Sequence, residues 1–293
     1  MDKENKASRL RELFKRPGVI RIVGAHNALG AKLIERAGFE GVWASGLEIS
    51  ASYALPDANI VSMFQFLEAA RQMNEAVSIP VVSDCDTGYG NANNVIYMVK
   101  MFEATGIAAV CIEDKIFPKD NSLLEGGRQR LTSIEEFQGK IRAAKDTQES
   151  KDFMVIARVE ALIAGWGQDE ALKRANAYVD AGADAILIHS KKSTPEEIVE
   201  FTKRWKGYVP LVVVPTNYPM ITIKELQELG IKMVIYANHG LRAAVKAMED
   251  VFEEIKRTGC ISTIEDKIVP MKHIFELQGT LEMKEKEGKY LPS

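Results

Sequence analysis

One local pattern recurs along this chain and restricts its fold more than any other feature. A helix ends at a glycine, and a short apolar strand follows that stops on polar residues. It reads ERAGFEGVWASG at 35–46, EATGIAAVCIED at 103–114, VDAGADAILIHS at 179–190 and QELGIKMVIYANH at 227–239. Glycine after a helix supplies the left-handed residue that closes its last turn. The run after each glycine is short and rich in β-branched or aromatic residues, as a strand buried on both faces must be. Four further runs fit between these: VIRIVGAHN at 19–27, IPVVSDCD at 79–86, FMVIARVEA at 153–161 and VPLVVVPTN at 209–217. Eight strands alternating with helical stretches such as NNVIYMVKMFEA and SIEEFQGKIRAAKD predict an α/β fold, a single (β/α)8 barrel of the TIM type. The competing architecture is a doubly wound open sheet. It is the weaker fit, because no GxGxxG follows the first strand and eight units exceed what that sheet needs.

A length of 293 residues suits one barrel domain over 1–293, with two departures from regularity. The polar stretch 114–132 (DKIFPKDNSLLEGGRQRLT) separates strand four from its helix and is expected to form an active-site lid. The tail 262–293 carries an additional amphipathic segment, with apolar Ile268, Met271, Ile274, Phe275 and Leu277, that covers the barrel or packs on another subunit. A net charge of -3 gives no general attraction to nucleic acid or acidic membranes. No apolar run approaches the roughly 18 residues that span a bilayer. The charged first residues, MDKENKASRLRELFKRPG, lack an apolar signal core, and Cys85, Cys111 and Cys260 make no CxxC pair. These features point to a cytoplasmic protein with a small-molecule substrate.

Barrels place their chemistry at the carboxyl ends of the strands. Those ends carry His26 and Asn27; Trp43, Ser45 and Leu47; Asp84 and Asp86; Glu113; Arg158 and Glu160; His189 and Ser190; Thr216 and Asn217; Asn238 and His239. Asp84, Asp86 and Glu113, joined by Asp57 from the loop after strand two, would repel one another as bare carboxylates. A hard divalent cation removes the conflict, and oxygen ligands with room for water suit Mg2+ or Mn2+. Helix capping is the alternative role for any one of these acids. Arg158, inside an apolar run, needs an anion: a substrate carboxylate, or an internal acid such as Glu160. His189 is the histidine taken into the site. Trp43 is either core or pocket lining. Gly88 and Gly90 are turn glycines or let backbone approach a ligand. Cys85 points away from the carboxylates by strand alternation.

Over nearly its whole length the sequence resembles the phosphoenolpyruvate mutase/isocitrate lyase superfamily, and its mutase branch most. The matching segments are WASGLEISASYALPD (43–57), DCDTGYGN (84–91), EDKIFPKDNS (113–122), RVEALIAGWG (158–167) and HSKK (189–192). The lyase branch carries a catalytic cysteine in a KKCGH motif where this chain has a lid without cysteine, which argues against C–C cleavage. The phosphonopyruvate hydrolase branch is also similar and has threonine in place of Asn121, whereas EEFQGKI (135–141) and PTNYPMI (215–221) read like that branch. The resemblance implies a Mg2+-dependent isomerase interconverting phosphoenolpyruvate and phosphonopyruvate, in phosphonate biosynthesis. Asp84 would bind the metal directly, and Asp57, Asp86 and Glu113 through water. Asp57 could instead accept the phosphoryl group. Arg158 would clamp the carboxylate, while Ser45, Gly46, Leu47 and Trp43 hold the pyruvoyl unit. Lys119, Asn121, Ser122 and His189 would surround the phosphoryl group. A homotetramer with exchanged C-terminal helices is implied as well.

Overall fold

Eight parallel strands, paired in sequence order with β8 returning to β1, close a barrel in the computed structural model, which describes residues 5–291. In chain order the elements are α1 (Lys6–Lys15), β1 (Ile20–Ala25), α2 (Ala28–Arg36), β2 (Gly41–Ala44), α3 (Gly46–Ser52), α4 (Met63–Ala76), β3 (Val81–Asp84), α5 (Ala92–Ala104) and β4 (Ala109–Glu113). There follow α6 (Ile134–Thr147), β5 (Met154–Val159), α7 (Gly167–Asp180), β6 (Ala185–Ile188), α8 (Glu196–Arg204), β7 (Leu211–Val213), α9 (Ile223–Glu228) and β8 (Ile231–Tyr236). The last helices are α10 (His239–Thr258), α11 (Met271–Gln278) and α12 (Thr280–Tyr290). Each glycine of the repeated pattern has the left-handed backbone expected of it: Gly38, Gly106, Gly182 and Gly230 have φ of 82°, 79°, 103° and 76°.

Strand alternation sorts the side chains into two layers. Val42, Ala44, Val81, Val110, Ile112, Val155 and Ile186 face outward and join the helices in one apolar layer. Trp43, Val82, Ala109, Cys111, Met154, Ile156 and Leu187 fill the barrel, together with Leu10 and Leu13 of α1. Extending the inward parity by one step past the apolar filling brings Asp84, Glu113, Arg158 and His189 to the carboxyl end of the barrel. Cys85 has the opposite parity and lies buried in the outer layer.

The chain divides into two compact units, Met1–His239 and Gly240–Ser293. The first holds the barrel. In the second, α10 buries none of its residues, α11 buries Leu277, and Gly279 in the left-handed region separates α11 from α12. Of the apolar residues expected to cover the barrel or a partner, Ile268, Met271 and Phe275 are exposed. Among the described residues, no helix is long and apolar enough to cross a membrane.

Candidate active site at the barrel mouth

A cavity of about 60 Å³ lies over the strand ends. Trp43, Ser45, Leu47, Asp84, Arg158 and His189 line it from the barrel side. Asp57 and the lid residues Lys119, Asn121 and Ser122 close it from above. Asp86 and Glu113 lie buried, at 1% exposure each. Gly46 packs close against Asp86 and Asp84: a Cβ there would stand 3.1 Å from Asp86 Oδ1 and 3.2 Å from Asp84 Oδ2. Thr216 and Asn238 also line the cavity, whereas Asn217 turns away to donate to the Lys191 carbonyl. His26 stands 3.5 Å from Glu48, and His239 begins α10. Trp43 serves both roles weighed for it, filling the barrel and facing the cavity.

The lid (114–132) folds back on itself. Ile116 N–H donates to the Arg130 carbonyl, Thr132 N–H donates to the Asp114 carbonyl, and Lys115 bridges Leu131 antiparallel. Its tip delivers Lys119 into the carboxylates, with Nζ 2.5 Å from Asp86 Oδ1, 3.2 Å from Asp57 Oδ1 and 3.8 Å from Glu113 Oε1. Burial works against the charged ammonium, but Asp57, Asp86, Glu113 and Asp84 together hold Lys119 well above the ordinary lysine range. Burial also pushes Asp86 up to about 7, against the pull of Lys119 and with help from the neighbouring carboxylates. Asp84 is raised, again chiefly by burial. Asp57 moves the other way: burial opposes it, but Lys119 and a 2.6 Å hydrogen bond from Asn121 Nδ2 hold it below the usual range.

Sequence reasoning passed over Asn59 at this site. Its amide donates to Asp86 Oδ2 (2.8 Å), and its carbonyl accepts from Lys119 N–H (2.7 Å), so one residue ties an acid to the lid. Its left-handed backbone, φ 57°, suits an asparagine, but no motif announces it.

Of the two anions considered for it, Arg158 meets the internal one, in Glu160 and also in Glu113. Its Nε lies 2.5 Å from Glu160 Oε1 and 3.3 Å from Glu113 Oε2, and Nη2 donates to Ser122 Oγ at 2.8 Å. His189 Nδ1 is 2.9 Å from both Arg158 Nη2 and Glu160 Oε1. Burial first, and the Arg158 charge second, keep the imidazole below its ordinary pKa. Farther out, buried Asp114 accepts from Glu160 N–H, Arg174 and the Tyr178 hydroxyl, and Arg174 also holds the Thr132 carbonyl. The lid is thereby rooted to β5 and α7.

The donors fit a hard, hydrated cation. Asp57 Oδ1, Asp86 Oδ1 and both Glu113 carboxylate oxygens are buried without an aligned hydrogen bond. The nearby cationic groups of Lys119 and Arg158 compensate them by proximity alone. Among the described residues no group of three or more His, Cys, Asp or Glu side chains is placed to hold a metal ion by itself. Magnesium needs few direct protein ligands, because it keeps several waters.

Residues 10–256 match the family described as phosphoenolpyruvate phosphomutase. The chain belongs to this family. It is 55% identical over 270 residues to the phosphonopyruvate hydrolase of Variovorax sp. (strain Pal2), covering 92% of this chain and 93% of the relative. A crystal structure of a phosphoenolpyruvate phosphomutase from Streptomyces platensis subsp. rosaceus superposes with a TM-score of 0.96 at 57% identity, covering 98% of this chain and 99% of that one. A phosphonopyruvate hydrolase in complex with oxalate and Mg++ superposes with a TM-score of 0.94 at 51% identity, covering 98% of this chain and all of the other. Magnesium is thus used within the family. Mutases and hydrolases stand at similar distances from this chain, so overall likeness does not separate the two activities.

Proposed function

We propose that the chain is a Mg2+-dependent isomerase that interconverts phosphoenolpyruvate and phosphonopyruvate. The observation that carries this reading is Asn121 at the lid tip, facing the cavity with its amide 2.6 Å from Asp57. A carboxamide donates hydrogen bonds but offers neither a base nor a hydroxyl to activate water.

The reaction breaks one P–O bond and forms one P–C bond, and consumes neither a proton nor water. Its loose transition state asks for positioning and charge stabilisation. Arg158, with Ser45, Gly46, Leu47 and Trp43, holds the pyruvate unit as its enolate carbon turns toward phosphorus. Asp84 would hold Mg2+, or Mn2+ in its place, directly and Asp57, Asp86 and Glu113 would hold it through water, where the ion would supply charge to stabilise the enolate and carboxylate oxygens. Lys119, Asn121, Ser122 and His189 surround the phosphoryl group, and the closed lid excludes water. Asp57, already engaged by Asn121 and Lys119, acts as a holding group in this scheme, not as a phosphoryl acceptor.

A hydrolase is the second reading, favoured by the 55% identical relative. There water supplies the oxygen that bonds to phosphorus, the C–P bond breaks, and the carbon takes up a proton. Incubating the purified protein with phosphonopyruvate and Mg2+ under phosphorus NMR decides between them. Phosphoenolpyruvate is the expected product, and pyruvate with inorganic phosphate would overturn the isomerase reading. Asn121→Thr is expected to move product toward pyruvate in the same assay. The protein is further proposed to work in the cytoplasm, in phosphonate synthesis, as a homotetramer that exchanges C-terminal helices. The exposed apolar stripe Val245, Met248 and Phe252 on α10 supports the assembly.

A further inference from the structure

A second charged group lies beneath the lid, joined through Arg158 to the carboxylates around Lys119. Lys115 sits in the lid stem yet is only 1% exposed, because its side chain turns inside the lid. Its Nζ donates to the Asp120 carbonyl (2.9 Å) and to Ser122 Oγ (2.6 Å), and stands 3.2 Å from Glu160 Oε2. The stem thus grips both residues that flank Asn121.

Glu160, fully buried, divides its two oxygens between two tasks. Oε1 faces the strand ends at the barrel mouth, where Arg158 Nε and His189 Nδ1 meet it. Oε2 faces the lid, where Ser122 Oγ donates to it at 2.5 Å and Lys115 completes the pair. Ser122 already accepts from Lys115 and Arg158, so its own proton goes to Glu160. Burial disfavours the carboxylate, but Arg158, Lys115 and His189 outweigh it and hold Glu160 well below the ordinary range. An anion so placed is shared by the substrate-facing arginine and the lid.

We infer that Lys115 and Glu160 form a latch that fixes the lid tip, and Asn121 with it, in register over the reacting group. Both are positioning residues: Lys115 sets the tip on the stem, and Glu160 joins the tip to Arg158. The inference rests on reading 114–132 as the cover of the substrate site.

Hydrogen exchange tests the latch apart from the reaction. With Mg2+ and oxalate present, Lys115→Met is expected to speed amide exchange across 120–128 by roughly ten- to a hundredfold, the loss of charge-assisted hydrogen bonds. Exchange in β4 and β5 should stay unchanged. Glu160→Gln keeps the shape, removes the charge and should loosen the same amides; it carries the test alone if Lys115→Met does not fold. The double variant should exchange no faster than the more affected single one, since each change breaks the same pair. With phosphonopyruvate, the share of pyruvate should rise in each single variant. Wild-type exchange across 120–128 in both folded single variants, or strictly additive effects, would overturn the latch. If the wild-type protein itself makes pyruvate, the isomerase reading fails while the exchange data still judge the latch.

Discussion

Gly24 in β1 has an ordinary strand backbone, yet nothing larger fits there. A Cβ would come within 2.0 Å of Glu48 Oε1, and that carboxylate is buried and accepts from Asn238 N–H. The missing side chain is the space that lets Glu48 tie α3 to the end of β8. Gly24→Ala should therefore cost about 1–3 kcal/mol by overpacking, read from denaturant unfolding. His189 makes a residue-scale prediction in pH. Its folded pKa lies below its ordinary 6.5, so the fold prefers the neutral ring. As pH falls below 6.5 the unfolded chain takes the proton first, and the stability contributed by neutral His189 is lost toward acid. NMR should find the neutral ring predominating over the protonated one at pH 6.5. Asp84, Glu113, Arg158 and His189 were legible in the sequence because a period of two carries them inward past an apolar filling. Glu48 and Asn59 were not, since each acts across the fold on a partner that no local pattern names.

At the level of elements, the four helix–glycine–strand repeats and the four apolar runs between them gave the strand count, and all eight strands fall inside the expected runs. The stretch 114–132 was legible as a polar interruption between strand four and its helix. Its internal order was not: the stem pairing at 114–116 with 130–132 and the inward turn of Lys115 arise from contacts between distant strand ends. The lid also supplies the cation for the acids beneath it. Lys119→Met leaves Asp57 and Asp86 without their nearest compensating charge and Glu113 with Arg158 alone, and a buried charge losing its partner costs about 3–5 kcal/mol. The variant should melt lower than wild type in chelator and regain much of the loss when Mg2+ is added, as calorimetric scans would record. Equal melting of the two proteins in chelator would sink this account.

For the molecule as a whole, the barrel unit and the helical unit of Gly240–Ser293 pose different demands. The barrel has its own core, while α10 buries nothing over 20 residues and shows Val245, Met248 and Phe252 along one stripe. Changing Val245 and Phe252 to glutamate should reduce the assembled mass in light scattering and leave the barrel's circular dichroism intact; unchanged mass would argue that the stripe pairs no subunits. The Lys119 ammonium among the acids has a bearing on how the protein is made. A chain that brings its own counter-charge need not meet a metal to fold, unlike small domains whose folding energy is their metal's binding energy. Synthesis and metal loading become separate events, and protein stripped by chelator should remain a folded barrel awaiting Mg2+. Newly made copies can then wait through metal scarcity without entering the pool of unfolded chains.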